Sequence, residues 1–176
     1  MRGHRRHRSP GPGLPRALPG PPCRAPPTAW RSLAKVDAQT LLPGNTLRFR
    51  AGGRWTGQLS PKGSGTAAEP VVLTSYGSGA KPLIEGGGVV DAAIRISDEH
   101  DIVVAGFEVT NSGSGTTPRI GIGATDLGAV TGVVVRDNQV HAIQASNPSA
   151  GGIIVSARGE RKPGTSMSTT TRSGCR

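Results

Sequence analysis

Ile102–Asn111 reads IVVAGFEVTN, and 31 residues further along the chain Val133–His141 reads VVVRDNQVH. Both stretches begin with an aliphatic run, pass through residues that favour turns, and return to a second, shorter apolar position. Self-similarity with a period of 20 to 50 residues is the signature of a solenoid. The same offset of 31 residues joins apolar positions at Leu73, Val104 and Val135, and also at Val109 and Val140.

Short aliphatic or β-branched runs recur between glycine-rich turns throughout residues 28–157. In Ile94-Arg95-Ile96 the apolar side chains alternate with a polar one, which is the period of a β-strand. Comparable triplets, Ile120-Gly121-Ile122 and Ile153-Ile154-Val155, follow at offsets of 26 and 33 residues. The predicted strands are Thr46–Arg50, Val71–Ser75, Ala93–Ile96, Ile102–Val104, Ile120–Ile122, Val133–Val135 and Ile153–Val155.

These patterns predict an all-β fold, a parallel β-helix (solenoid) of about four rungs over residues 28–157. One rung cannot bury its own apolar face, whereas stacked rungs bury a continuous column. A β-sandwich is the main alternative, because it also yields short strands and glycine turns. The recurring register and the lack of an Asn-Gly or Asp-Gly hairpin turn favour the solenoid. Trp30–Val36, with Thr28 as the N-cap, predicts a short amphipathic helix that covers the open first rung.

The positive charge of the chain is concentrated at its two ends. The net charge is +10, but residues 28–157 hold ten basic and ten acidic residues, so the whole excess lies in residues 1–27 and 158–176. Neither end contains an aromatic residue, and the first holds eight Pro and six Arg. We therefore predict a disordered Arg/Pro-rich segment (1–27), the parallel β-helix (28–157) and a disordered basic tail (158–176). No specific nucleic-acid binding is expected, although such ends attract polyanions at low salt.

Two other classes of feature are missing from the sequence. No apolar run follows the basic N-terminal residues, so no signal peptide is recognisable, and no stretch is long enough to span a membrane. Cys23 and Cys175 lie in the two ends, where we expect no structural disulfide. No CxxC pair or His/Cys cluster is present, so no metal site is predicted.

Four segments open the predicted solenoid: Ala29–Ala38 (AWRSLAKVDA), Leu42–Gly53 (LPGNTLRFRAGG), Trp55–Leu59 (WTGQL) and Gly63–Pro70 (GSGTAAEP). They resemble the opening of secreted bacterial right-handed parallel β-helix proteins of the pectate-lyase-like superfamily. The start is similar to that of chondroitinase B and alginate-lyase relatives, and the two stretches quoted at the outset resemble that superfamily's rung repeats. The resemblance covers roughly residues 28–157.

The resemblance implies a right-handed coil, an extracellular location and a carbohydrate-processing protein. A complete protein would act on or bind acidic polysaccharide as a monomer, as a polysaccharide lyase or a glycoside hydrolase. The alternative is a non-catalytic solenoid that binds glycan or serves as a surface adhesin. Lyases of this shape neutralise the sugar carboxylate with Ca²⁺ or with Arg and Lys, so Ca²⁺ is the one cofactor that the resemblance allows. Family members usually continue for more rungs, and we expect this chain to be an inactive fragment.

The outer side of the repeated strand is the predicted substrate-binding face. With Ile94 and Ile120 pointing into the coil, Arg95 and Gly121 would align on the outside, with Arg119 beside them. Small residues around two guanidinium groups would form an open positive patch for an acidic glycan, held by bidentate contacts to its carboxylates. The competing interpretation is that exposed Arg on a strand serves only solubility and edge protection. No catalytic residue is assigned.

Two other polar groups are candidate sites. Asp98–Asp101 (DEHD) is rich in the oxygen ligands that Ca²⁺ prefers, but it lies between two predicted strands, where acidic turns are routine. We favour the turn. Asp137 and His141, near Asn138, would serve either as an acid/base pair or in turn hydrogen bonds, with Asn138 in a stacked polar ladder.

Overall fold

The structure is a computed structural model and describes residues 30–114, 118–126, 130–144, 149–157 and 169–170. Within those residues it has one short helix, α1 (Leu33–Asp37), and twelve strands. The strands are β1 (Thr46–Arg50), β2 (Arg54–Thr56), β3 (Val71–Tyr76), β4 (Leu83–Glu85), β5 (Ala92–Ser97), β6 (Ile102–Ala105), β7 (Glu108–Asn111), β8 (Ile120–Asp126), β9 (Val134–Arg136), β10 (Gln139–Ile143), β11 (Gly151–Ala157) and β12 (Thr169–Thr170).

The strands form three parallel sheets that wind into one solenoid. Sheet 1 has the order β1-β3-β6-β9-β12, sheet 2 the order β2-β4-β7-β10, and sheet 3 the order β5-β8-β11. Three complete turns follow a first turn in which sheet 3 is represented by one parallel bridge between Leu59 and Ile94. Each strand pairs with the equivalent strand of the next turn. The predicted all-β parallel solenoid is confirmed.

The 31-residue offset corresponds to residue pairing in two of the sheets. Leu73 pairs with Val104 and Val104 with Val135 in sheet 1, and Val109 pairs with Val140 in sheet 2. Leu73, Val104 and Val109 are completely buried. Because parallel pairing places equivalent side chains above one another, the aliphatic positions form the predicted internal column.

Three aromatic rings strengthen the first turns of this column. The ring of Phe49 meets that of Trp55 edge-on, with centroids 5.2 Å apart, and meets that of Phe107 at 5.1 Å in the same manner. Edge-to-face pairs of this kind add about 0.5–1.5 kcal/mol beyond the area that they bury. The interior is therefore aliphatic along its length and aromatic near the start.

Helix α1 begins later than the sequence indicated. Its N-cap is Ser32, which makes no capping hydrogen bond through its side chain, and Thr28 lies outside the described residues. Leu33 and Val36, three residues apart, are buried in the core cluster, so the helix does pack on the first turn. Trp30, the predicted first residue of the helix, precedes it and stays 44% exposed.

Strand β12 lies inside the segment that was predicted to be a disordered tail. Thr169 pairs with Val135 and Thr170 with Arg136, which extends sheet 1 by one strand. Two residues are too few to show the alternation by which a sequence predicts a strand. The disorder predicted for residues 1–27 and for most of 158–176 concerns residues outside those described. No described helix has the length and hydropathy that crossing a membrane requires.

Candidate functional site

Arg95 lies on the outer side of sheet 3, as the sequence predicted. It pairs with Gly123 of the next turn, and Gly123 pairs in turn with Ile154. Ile94 and Ile96, on either side of Arg95, are buried, so the alternation predicted for this strand is observed. Two positions further along each strand, a row of hydroxyl side chains runs across the sheet, consisting of Ser97, Thr125 and Ser156.

Four polar side chains from two turns meet at this point, and we call Gln58, Asp91, Arg95 and Ser97 the Arg95 cluster. Arg95 donates from Nη1 to the Asp91 carboxylate and from Nε to the Ser97 hydroxyl at 3.0 Å. Gln58, from the preceding turn, donates from Nε2 to Asp91 Oδ1 at 2.7 Å. The side chains of Arg95 and Asp91 keep 37% and 47% of their exposure. The cluster is therefore fixed by its own hydrogen bonds and still open to solvent.

Asp91 is held in its charged form by its neighbours. Partial burial tends to raise the pKa of its carboxyl, but the positive charge of Arg95 and the hydrogen bonds from Gln58, Arg95 and the Ala92 N–H together outweigh that effect. The pKa of Asp91 therefore lies below its ordinary value of 3.8. Asp37 shows the opposite balance, because burial raises its pKa despite the Ser60 N–H and the charge of Lys62.

The lowered pKa of Asp91 gives a pH dependence with a definite sign. A carboxyl whose pKa is lower in the folded state stabilises the fold above its unfolded pKa, and that contribution is lost as the pH falls through the folded pKa. We expect the difference in urea midpoint between the wild type and Asp91→Asn to shrink as the pH falls below about 4. Urea titrations at several pH values between neutrality and strong acid measure this difference.

Asp37→Asn is the matched control for that experiment. Since the pKa of Asp37 is raised in the fold, its stabilising contribution is present at low pH and is lost as the pH rises. The wild type should thus gain stability relative to Asp37→Asn on acidification. Parallel pH profiles for the two variants would contradict both assignments.

Arg119 does not lie on the exposed face, and this part of the predicted site is wrong. Its side chain is 1% exposed. Nε donates to the Gly88 carbonyl at 3.0 Å, Nη1 to the Gln144 carbonyl at 2.6 Å and Nη2 to the Ser114 carbonyl at 2.6 Å. The guanidinium group thus joins loops from three parts of the chain, a structural role.

Gly121 is also buried, so its predicted place on the open outer face is wrong as well. A Cβ atom added there would lie 2.4 Å from Val140 Cγ1 and 2.5 Å from the Gly152 carbonyl oxygen. The α-carbon therefore faces the neighbouring strands of sheets 2 and 3 at close range. The glycine is needed for that approach of backbone and side chain, and it offers no surface to a ligand.

The register of β8 also differs from the prediction, by two residues. The triplet pattern aligned Ile120 with Ile94, whereas the sheet pairs Ile122 with both Ile94 and Ile153. A shift of two keeps the alternation of faces, so the apolar pattern alone could not reveal it. The position beside Arg95 is in fact occupied by Gly123.

Gln58 and Asp91 were not predicted from the sequence to be part of the site. Gln58 lies where the first turn touches sheet 3 through the single bridge at Leu59, which leaves no strand pattern to read. Asp91 carried a usable signal, because residues four apart in an extended segment share a face and Asp91 and Arg95 have opposite charges. That spacing would have paired them from the sequence.

The structure separates Asp137 from His141, which were considered as an acid/base pair. Asp137 contacts Arg136, with Nη1 and Oδ2 2.8 Å apart, and His141 Nε2 lies 2.9 Å from Glu108 Oε1 of the preceding turn. Asn138 accepts from the Phe107 N–H at 2.9 Å and donates to the Val104 carbonyl at 2.9 Å, so its amide partners are backbone groups of the preceding turn.

The acidic segment Asp98–Asp101 behaves as a turn. Glu99 accepts from the Gly63 N–H at 2.7 Å and from the Ser64 hydroxyl at 2.5 Å, while Asp101 contacts its neighbour His100 at 2.8 Å. These carboxylates are thus committed to protein donors. Within the described ranges no three His, Cys, Asp or Glu side chains are grouped as a metal ion would require.

Comparison with known proteins extends this description. No family model matches the chain. Uncharacterized protein YwoF of Bacillus subtilis (strain 168) is 28% identical over 122 residues, which cover 66% of this chain and 25% of YwoF. The chain thus spans about a quarter of the length of that relative.

Two solved structures resemble the fold. They are the selenomethionine derivative and the native form of the GH136 lacto-N-biosidase from Eubacterium ramulus, each with a TM-score of 0.63 and 20% identity. The match covers 74% and 73% of this chain, respectively, and 27% of that enzyme. The chain is therefore a parallel β-solenoid similar in fold to part of a carbohydrate-active enzyme.

Proposed function

We propose that this chain belongs to an extracellular, monomeric carbohydrate-processing protein and binds an acidic glycan at the Arg95 cluster. The observation that carries the proposal is a guanidinium group that is positioned by Asp91 and Ser97, yet remains about one-third exposed. Its Nη2 nitrogen donates no hydrogen bond within the described part of the chain. A positioned guanidinium with spare donors is well suited to a carboxylate or sulfate.

The surface around Arg95 supports this proposal. Gly123 occupies the neighbouring position on the next turn and contributes no side chain of its own there. The adjacent row of hydroxyl groups runs from turn to turn at the spacing of parallel strands, about 4.8 Å. A sugar chain lying across the turns would meet a donor or acceptor at each one.

The chemistry of the complete protein is part of the same proposal. The structural neighbours are carbohydrate-active, and the opening segments resemble the pectate-lyase-like superfamily, in which acidic polysaccharides are substrates. Of the two enzyme classes, the neighbours favour a glycoside hydrolase and the opening segments a polysaccharide lyase. Both classes agree on a glycan as the ligand.

Binding to polygalacturonate tests the role of Arg95. We expect Arg95→Ala to weaken that binding about 10- to 100-fold, because one charge-assisted hydrogen bond contributes about 1.5–3 kcal/mol. Affinity electrophoresis in gels that contain polygalacturonate, compared with gels that contain a neutral galactan, measures the change. The wild type should be retarded only by the acidic polymer.

Arg136→Ala is the matched control for Arg95→Ala. Arg136 is also exposed and also contacts an aspartate, but it belongs to sheet 1. Its replacement should leave retardation unchanged. An equal loss of retardation in the two variants would mean that only the net charge of the protein matters, and it would refute a site at Arg95.

A second candidate function is glycan binding without cleavage. The observation that favours it is the uniform row of Ser97, Thr125 and Ser156, since rows of small hydroxyl side chains suit contact with a polymer more than acid/base chemistry. Retardation by polygalacturonate together with no release of reducing sugar or unsaturated product would support this function over the enzyme classes.

A further inference from the structure

A cavity at the N-terminal end of the solenoid collects most of the aromatic residues in the chain. It opens between α1 and the first turn and has a volume of about 620 Å³, within the size range of small-molecule sites. Trp30, Phe49, Trp55 and Tyr76 line it, and the sequence has five aromatic residues in all. Trp30 and Tyr76 are 44% and 46% exposed, so two large aromatic surfaces remain open to solvent.

The same cavity is strongly positive. Its lining includes Arg31, Arg48, Arg50 and Arg54, and no acidic residue lines it within the described part of the chain. Arg54 contacts Glu85 at 3.5 Å, and the other three have no acidic partner among the described residues. Residues 28–157 contain ten basic and ten acidic residues. Four of the ten basic residues line this cavity, which gives it a local excess of positive charge.

We infer that this cavity binds a sugar ring bearing a carboxylate or sulfate, as an end subsite for the acidic glycan. The inference rests on the proposed function for its ligand class. Aromatic faces carry partial negative charge and attract the polarised C–H groups of a pyranose ring. Guanidinium groups at the rim bind the anionic substituent. A neutral sugar would satisfy only the first half of this arrangement.

Charge argues against two other occupants. Residues 1–27 contain six Arg and no acidic residue, so they would bring like charge to a cavity that already holds four arginines. A second copy docked end to end would face arginines with the same arginines, because a two-fold interface presents one surface to itself. A small anionic ligand removes the repulsion instead of adding to it.

A second cavity connects this end with the Arg95 cluster. It has a volume of about 430 Å³, shares Arg31, Arg54 and Trp55 with the first, and extends to Gln58. Gln58 is itself hydrogen-bonded to Asp91 of the Arg95 cluster. The two cavities therefore adjoin, and the second, which Asp37 also lines, reaches the Arg95 cluster at Gln58.

Intrinsic fluorescence offers a direct test, because the chain has two tryptophans and both line the cavity. The full chain is titrated with digalacturonate, with the neutral disaccharide galactobiose, with galactose 6-sulfate and with sodium sulfate. We expect a saturable change with digalacturonate and an affinity at least about tenfold weaker for galactobiose. A response to galactose 6-sulfate would extend the ligand class to sulfated rings, and its lack would restrict the class to uronates.

The double variant Arg48→Gln/Arg50→Gln should weaken digalacturonate binding at least about tenfold, with Arg136→Gln as the matched control. Both arginines are exposed on β1, so the fold should survive, and an unchanged urea midpoint checks this. Trp30→Ala should weaken binding while leaving the Trp55 signal. Digalacturonate that leaves the fluorescence unchanged, galactobiose that binds equally well, or sulfate alone that reproduces the change would each overturn the inference.

Arg95→Ala separates this inference from the proposed function. The end cavity should still bind digalacturonate in that variant, while retardation by polygalacturonate is weakened. If polygalacturonate is retained through Arg95 but the tryptophans do not respond, the inference fails and the proposed function stands. If the tryptophans respond and Arg95→Ala changes nothing, the site at Arg95 fails and the end cavity stands.

Discussion

Leu73→Ala is expected to lower the free energy of unfolding by about 2–5 kcal/mol, the range typical of a buried leucine cut back to alanine. Leu73 is completely buried in β3, between Leu47 of one turn and Val104 of the next. The backbones above and below are held at the fixed spacing of hydrogen-bonded strands, so they cannot close over the space left by the side chain. Urea denaturation followed by circular dichroism measures the loss.

Leu42→Ala provides the matched control for this substitution. Leu42 is 63% exposed and lies ahead of β1, so the same chemical change should alter stability by less than about 0.5 kcal/mol. A loss at Leu73 no larger than that at Leu42 would mean that the aliphatic column is not the core of this fold.

Arg119→Met is expected to lower the free energy of unfolding by about 2–4 kcal/mol, since three carbonyl groups lose a charged donor. Methionine nearly preserves the length and apolar stem of the side chain, so the loss reports on the hydrogen bonds to Gly88, Ser114 and Gln144. The effect should appear as a lower urea midpoint with an unchanged slope of the transition.

The same replacement at Arg136 separates burial from charge. Arg136 is 55% exposed in its side chain and contacts only Asp137 among the described residues, so Arg136→Met should be nearly neutral. The polygalacturonate gel should retard folded Arg119→Met as strongly as it retards the wild type. Normal stability combined with lost retardation would restore Arg119 to the binding face and refute its structural role.

The fold could be predicted from the sequence because residues that pair between turns of a parallel solenoid recur at a regular offset along the chain. The 31-residue offset between Val104 and Val135 is the sum of three strands and three turns, and it equals the offset between Leu73 and Val104. Sheet 3 does not keep this offset between β5 and β8. Ile94 pairs with Ile122, 28 residues away, whereas the pattern of the triplets predicted an offset of 26, because Ile120 and Ile122 both suit a partner of Ile94.

The short strands of sheet 2 were not predicted from the sequence for a related reason. Strands β2 and β4 have three residues each, with one inward side chain, Trp55 or Ile84, and so provide no alternation to detect. The candidate site was likewise predictable only in part. The outward position of Arg95 follows from the alternation within one strand. The buried position of Arg119 depends on three distant carbonyl groups that no local pattern encodes.

The single direction of strand pairing has a mechanical consequence. Hydrogen bonds between turns point along the axis of the coil. A force that separates the two ends of the coil therefore acts on these contacts in series, and each junction between turns bears the whole force. Resistance to stretching is then set by the weakest junction between neighbouring turns and does not grow with their number. A force perpendicular to the axis would instead act on the covalent backbone of each turn. The coil therefore resists deformation less along its axis than perpendicular to it.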